Sequence, residues 1–224
     1  MFRSRRREVV FPQAEHARFA AAIASAWSDA FAPVRLPRER FLHGVALHDR
    51  GYGEHDADEI GKVSRERWLA IQERGFAATG EDPLVDLVVA LHVRRLVSSG
   101  EDEPSRRVLD AMDEAFPRLV RAAGVSPEDA GAADRITDLC DRVSFDFCLE
   151  APDAGEVEVL RADGSPVTVS YSVDGPGTVM LDPWPLEPPA LAGTVLGYAP
   201  DAYPDVLEPV PTPFSVQPTA GARR

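Results

Sequence analysis

The sequence predicts a mainly α protein: a helical bundle over residues 1–152, followed by a small β-rich extension over 153–224 that packs on it and ends in a loosely ordered tail. Three observations lead there. Up to about residue 150, apolar residues recur three and four apart, the period of helices that bury one face. Beyond that point the period becomes two. Thirteen of the 20 prolines also fall after residue 150, and "EAPDAGEVEV" at 150–159 supplies the turn residues expected at a boundary.

The elements follow in order. "QAEHARFAAAIASAWSDAF" (13–31) places His16, Phe19, Ile23 and Trp27 on one helical face, with Pro33 to end it. "PRERFLHGVALHD" (37–49) opens on Pro37, which suits a first helical position, and carries Phe41, Val45 and His48 as a stripe. "SRERWLAIQERGFAATG" (64–80) closes on a glycine. "DPLVDLVVALHVRRLVSSG" (82–100) begins with an Asp-Pro cap and stops at Gly100. A fifth helix covers 104–123, and a sixth covers 126–150 with Ser126 as N-cap. After the boundary, "EVEVLRADGSPVTVSYSVDGPGTVML" alternates and carries Asp-Gly turns at 163–164 and 174–175. "DPWPLEPPALAGTVLGY" reads as a stiff proline loop and then a strand, with Trp184 covering apolar surface or capping a site mouth. "PVPTPFSVQPTAGARR" reads as a loose tail.

Composition narrows the function classes. With 224 residues, 44% hydrophobic and 27% charged, the chain has an ordinary soluble composition and room for one full core. A net charge of −13 argues against gripping a nucleic-acid polymer. No apolar run is long enough to span a bilayer. The basic "MFRSRRREVV" has no apolar segment after it, so no signal peptide is expected. Cys140 and Cys148, eight residues apart on one helix, stand about 12 Å apart along its axis and cannot bridge. They read as thiols of a reducing cytoplasm. The expected partner is a small molecule; the oligomeric state, a homodimer included, is open.

The candidate chemistry begins at "FLHGVALHDRGYGEHDAD" (41–58), where two histidines are each followed by an aspartate. The dipeptide itself is weak: 5 His and 20 Asp in 224 residues give about 0.4 such pairs by chance. The wider pattern is stronger. His16, His48, His92 and Asp141 each sit on an apolar helical stripe, where burial is costly unless the group is paired or binds a metal. Helical bundles build metal sites by pointing such groups inward. Imidazole and carboxylate together accept Mn, Fe, Ni, Zn or Mg. Adjacent His48 and Asp49 can share one ion only at a helix end, which Gly51 and Gly53 supply.

Each residue also has a structural reading. His16 could be a core histidine bonded to a carbonyl, and His48-Asp49 a helix terminus beside a turn cap. Asp141 could pair with Arg135 or Arg142, or cede its role to Asp138. The acidic 54–59 stretch, His55 included, reads as a solvated loop.

The series His16, His48-Asp49, His92 and Asp141 resembles the HD-domain superfamily of metal-dependent phosphohydrolases, in which a first-helix His, a His-Asp pair and a distant Asp hold a divalent metal inside a helical domain. With "PQAEHARFAAAIASAW", "HDRGYG", "VALHVRRL", "DRVSFDFC" and "LDPWPL" in that order, the chain is also similar to a bacterial HD-like family of unknown function. That likeness runs from about residue 9 to about 200. It implies an HD-like helical fold and no established activity. Two-metal superfamily members carry further histidines where this chain has only His55 and His92, so one metal is expected. Its ligands are His16, His48, Asp49 and Asp141, with His92 a fifth ligand or a substrate contact.

The leading expectation is hydrolysis of a small phosphate ester or nucleotide by metal-activated water, with Asp49 and His92 at the reaction centre and Arg95 gripping phosphate. A non-haem iron oxygenase and a non-catalytic, metal-stabilised binding module are the alternatives.

Overall fold

The computed structural model describes residues 1–31, 35–80, 82–150, 154–175 and 177–221. Pro33, residues 152–153 of the expected boundary and the last three residues lie outside the described ones. The helices are α1 (Gln13–Ser25), α2 (Arg38–Ala46), α3 (Arg65–Ala77), α4 (Pro83–Val97), α5 (Glu103–Ala123) and α6 (Pro127–Leu149). Four start at side-chain caps: Ser64, Asp82, Asp102 and Ser126 accept from the backbone N–H groups of Arg67, Leu84, Ser105 and Asp129, and Asp82 and Ser126 are the two caps expected from the sequence.

Two helices end sooner than their periodicity suggests. α1 stops at Ser25, because the backbone beyond it finds partners in the proline loop instead of in the next turn. Ser28 N–H donates to Pro185 O (2.9 Å), and Glu187 N–H donates to Ala26 O (2.7 Å). α2 stops at Ala46, so His48 and Asp49 stand in the turn that follows it, ahead of a short 3-10 segment at Arg50–Tyr52.

The expected mainly α fold with a small β extension is wrong. Among the described residues helix covers 46% and strand 22%, and the strands form one curled mixed sheet, so the protein is α+β. The strands are β1 (Phe2–Arg3), β2 (Val10–Phe11), β3 (Ala154–Leu160), β4 (Pro166–Asp174), β5 (Thr178–Asp182), β6 (Leu191–Tyr198) and β7 (Pro209–Pro218). Their order is β1-β2-β6-β7-β5-β4-β3, with β5 and β7 parallel and the other neighbours antiparallel.

Two causes enlarge the sheet. β1 and β2 are two residues each, too short for any period to show, and they add the beginning of the chain to the sheet. β7 lies in the segment read as a loose tail. Its Pro209, Pro211 and Pro213 occupy alternate positions, so their missing N–H groups all turn to one edge. Along this stretch β7 pairs with β6, and it meets β5 only from Ser215 onward. Prolines are tolerated in a strand where one edge makes no ladder bonds. Val210, Thr212, Phe214 and Val216 then alternate as an ordinary strand would.

α1 and α6 lie on the sheet. Phe19 of α1 packs edge-on against Phe147 of α6 and at a tilt against Phe214 of β7, with ring centroids 4.9 and 4.4 Å away. Burying one such ring stabilises the fold by roughly 1.5–3 kcal/mol. α2 and α4 form the next layer, and Gly44 lets them touch: a Cβ there would stand 2.7 Å from Val88 Cβ. α3 and α5 pack outside α4 through Leu69, Val93, Val97, Val108 and Met112. Trp184 of the proline loop is buried in the main core near the end of α1. It packs rather than caps, since it is absent from the wall of the cleft described below.

Candidate metal centre

Four chain segments meet behind α1. α1 contributes His16, the turn after α2 contributes His48 and Asp49, α4 contributes His92, and α6 contributes Asp141. The three imidazoles are 0–1% exposed. The turn is held from outside. Arg50 Nε donates to Gly75 O (2.9 Å) and its Nη1 to Asp86 Oδ1 (2.7 Å), while Arg74 Nε donates to Gly51 O (2.7 Å). Gly51 is needed for close approach rather than for an unusual φ: a Cβ there would stand 2.3 Å from Ile71 O.

Second-layer hydrogen bonds fix two of the imidazoles. His48 Nδ1 faces the Val45 carbonyl at 2.7 Å. A carbonyl only accepts, so Nδ1 carries the proton and Nε2 offers its lone pair. His16 Nδ1 faces Ser144 Oγ at 2.8 Å; that hydroxyl already donates to Asp141 O (2.9 Å), so it accepts from His16. His16 Nε2 is thereby also turned outward as a base. The two Nε2 atoms stand 3.0 Å apart and face each other. Two lone pairs cannot bond each other; a proton or a cation has to stand between them.

The carboxylates close around the same point. His16 Nε2 is 3.4 Å from Asp49 Oδ2 and 3.2 Å from Asp141 Oδ1. His48 Nε2 is 3.6 and 3.5 Å from the same two oxygens. Ligands about 2.0–2.2 Å from one ion stand roughly 3–3.5 Å apart at ordinary coordination angles, so the donor set fits a divalent cation. His16, His48 and Asp49 form one candidate group, and His48, His92 and Asp141 form another that overlaps it. His92 spans the outer oxygens of both carboxylates, with Nε2 3.2 Å from Asp49 Oδ1 and Nδ1 3.3 Å from Asp141 Oδ2.

The electrostatics repeat this picture. Burial would lower the His16 and His92 pKa values, but Asp141 and Asp49 outweigh it and raise both to about 9. His48 is lowered by burial and by the neighbouring His92. Burial would raise Asp49 and Asp141, yet the imidazoles around them hold both far below the usual carboxylate range. Two carboxylates in a dry site call for positive charge, which protons or a dication can supply.

Arg95 reaches the centre with its N–H groups committed. It is paired with Asp134, with Asp138 Oδ1 (2.9 Å) and with Asp141 Oδ2 (3.3 Å), and its Nη2 lies 3.1 Å from His92 Nδ1. Asp138 does not take the place of Asp141; it pairs with Arg95 and with Arg142 Nε (2.9 Å). Arg135 pairs with Glu158, away from Asp141. His55 is exposed, as expected. Asp56, expected in solvent, is buried and accepts from Gln13 N–H at the start of α1 (2.9 Å).

Above the centre a cleft of about 460 Å³ opens, with Asp49, His92 and Asp141 at its floor. Sequence reasoning missed Gln13, Ser144, Asp146 and Tyr171. Ser144 had a signal, a hydroxyl one turn from Asp141 on the same apolar stripe. Tyr171 had none, because it arrives from β4 and donates to Asp146 Oδ2 of α6 (2.6 Å) across the helix–sheet junction.

These features define a class: an α+β protein with a buried His/Asp centre that could hold a metal ion and that opens to a cleft. The chain belongs to the family described as "Protein of unknown function (DUF3891)", which matches residues 2–198. No curated protein and no solved structure matches it. Among the described residues, no helix is long and apolar enough to cross a membrane.

Proposed function

We propose that the protein is a metal-dependent phosphohydrolase acting on a small phosphate ester or nucleotide. One observation carries the reading: His16 and His48, each tied through Nδ1 to Ser144 or Val45 O, aim their Nε2 atoms at one point between Asp49 and Asp141, at the floor of an open cleft. The motif series resembles HD phosphohydrolases in its ligands, while the overall fold here is α+β.

A divalent ion held by His16, His48, Asp49 and Asp141 would lower the pKa of water and polarise a phosphoryl oxygen. The chain's own groups do the rest. Val45 O and Ser144 keep the two imidazoles in the binding tautomer. Asp49 and Asp141 supply the negative charge that selects a dication. His92, on the cleft floor between both carboxylates, is placed to hold a proton beside the leaving group. Arg95 fixes Asp141 and His92 and adds positive charge beside the reacting phosphoryl group.

Protein stripped of metal and refilled with Mn, Ni or Mg is expected to cleave an aryl phosphate reporter or a member of a nucleotide panel. Silence across both with metal bound sinks the reading. The burial of His16 and His48 favours one competing role, a purely structural ion. In that case a chelator lowers the melting temperature and no activity is found with any metal. Iron near two per chain in freshly purified protein would favour oxygen chemistry instead.

A further inference from the structure

The wall of the cleft shows what kind of phosphate ester it takes; this inference rests on the hydrolase reading. Asp49, Asp138, Asp141 and Asp146 line it against two guanidinium groups, Arg95 and Arg142. Both arginines are tied to Asp138, and Arg95 also to Asp134 and Asp141. A dication would offset the two carboxylates it binds and leave little positive charge for further phosphate groups. A monophosphate suits that balance; a di- or triphosphate meets excess carboxylate.

A second, independent feature is Gln13. It lines the same cleft one turn before His16, is 2% exposed, and its Oε1 is a buried acceptor with no donor among the described residues. A buried acceptor without a donor costs about 1–3 kcal/mol, so the site favours a ligand that brings an O–H or N–H there. Tyr52, Trp68 and Phe145 add apolar faces against which a ring can lie.

We propose that the cleft binds the monophosphate ester of a hydroxylated ring, with Gln13 Oε1 accepting a hydrogen bond from a ring hydroxyl, and that it excludes polyphosphates. The ring could be a free sugar phosphate or the ribose of a nucleotide, and the test separates them. Calorimetric binding to the Mn-loaded full chain is compared for ribose 5-phosphate, a nucleoside 5′-monophosphate, its 2′,3′-dideoxy form, its triphosphate and phenyl phosphate, with phosphate release followed in parallel.

Hydroxylated monophosphates are expected to bind about tenfold or more tightly than the dideoxy form and the triphosphate. Tight binding of ribose 5-phosphate supports a sugar ring as sufficient; tight binding of the nucleotide alone supports a ligand that also needs its base. Gln13→Met is expected to erase the hydroxyl preference, bringing hydroxylated monophosphates to the affinity of the dideoxy form, with bound Mn retained and the melting temperature unchanged or raised. Equal binding of the dideoxy form overturns the proposal on wild-type protein alone, even if the variant does not fold. So does a triphosphate that binds as tightly as the monophosphate, or a hydroxyl preference that survives in a folded Gln13→Met. Hydroxyl-dependent binding without phosphate release from any probe supports the cleft assignment and refutes hydrolysis.

Discussion

The His16–His48–His92 cluster predicts opposite pH responses for metal-free and metal-loaded protein. In the metal-free form, His16 and His92 have pKa values raised to about 9, against about 6.5 for an unfolded histidine. A raised folded pKa contributes stability that is fully present below 6.5 and is lost as pH climbs through 9. One such shift corresponds to about 3 kcal/mol; the two histidines share the same carboxylates, so their contributions do not simply add. For a chain of this size about 3 kcal/mol moves the melting temperature by roughly 6–12 °C. The metal-free protein is therefore expected to melt lower at pH 9 than at pH 6. A bound dication replaces those protons, so its stabilisation grows over the same interval as proton competition fades. The assay is thermal melting at pH 6, 7.5 and 9 with and without saturating Mn. It is joined by calorimetry in buffers of different ionisation enthalpy, which counts one to two protons released per ion at pH 7.5. A loaded-minus-free melting difference that is flat or narrows toward pH 9 would refute the idea that protons and metal compete for this point.

Two further outcomes follow from the support around the site. Ser144→Ala removes the acceptor that fixes the His16 tautomer, and metal affinity should fall about 10–100-fold with little change in fold, as read by Mn titration and circular dichroism. Gly51→Ala pushes a methyl group into the Ile71 carbonyl and the Gly75 backbone, which cannot yield as a side-chain tip can. A loss of about 3 kcal/mol in urea unfolding is expected, with weaker metal binding because the displaced turn carries His48 and Asp49.

The converging residues were legible because each broke a local rule. His16, His92 and Asp141 are polar groups on apolar helical stripes, and His48 continues the α2 stripe into the turn beyond it; a stripe records which way a side chain points whatever lies beyond it. The helix caps at Asp82 and Ser126 were legible for a similar reason, since capping is a matter of three or four neighbouring residues. The sheet was not. A pairing such as Val10 with Tyr198 leaves no trace in a two-residue strand, and the prolines of 209–213 masked the alternation beneath them. The support of the site was hidden in the same way. The Val45 carbonyl that sets the His48 tautomer is backbone, and Tyr171 enters the cleft wall from a strand 25 residues away from its Asp146 partner.

The role of His92 decides how many ions the centre holds. Asp49 and Asp141 each turn one oxygen to the His16–His48 point and the other to His92. A second ion shared by the two carboxylates would have to occupy the place where the His92 ring stands, and the Arg95 guanidinium, itself a cation, lies beside that ring. The geometry thus favours one ion, with His92 as its neighbour. Variants separate the possibilities. His48→Ala removes one of the two facing Nε2 atoms and should abolish binding. His92→Ala leaves both facing atoms and the inner carboxylate oxygens, so near one Mn per chain should remain, held with about 10–100-fold lower affinity once the outer oxygens lose their partner. If His92→Ala loses metal as completely as His48→Ala does, then His92 is a ligand and the ion lies nearer α4, in the overlapping group of His48, His92 and Asp141.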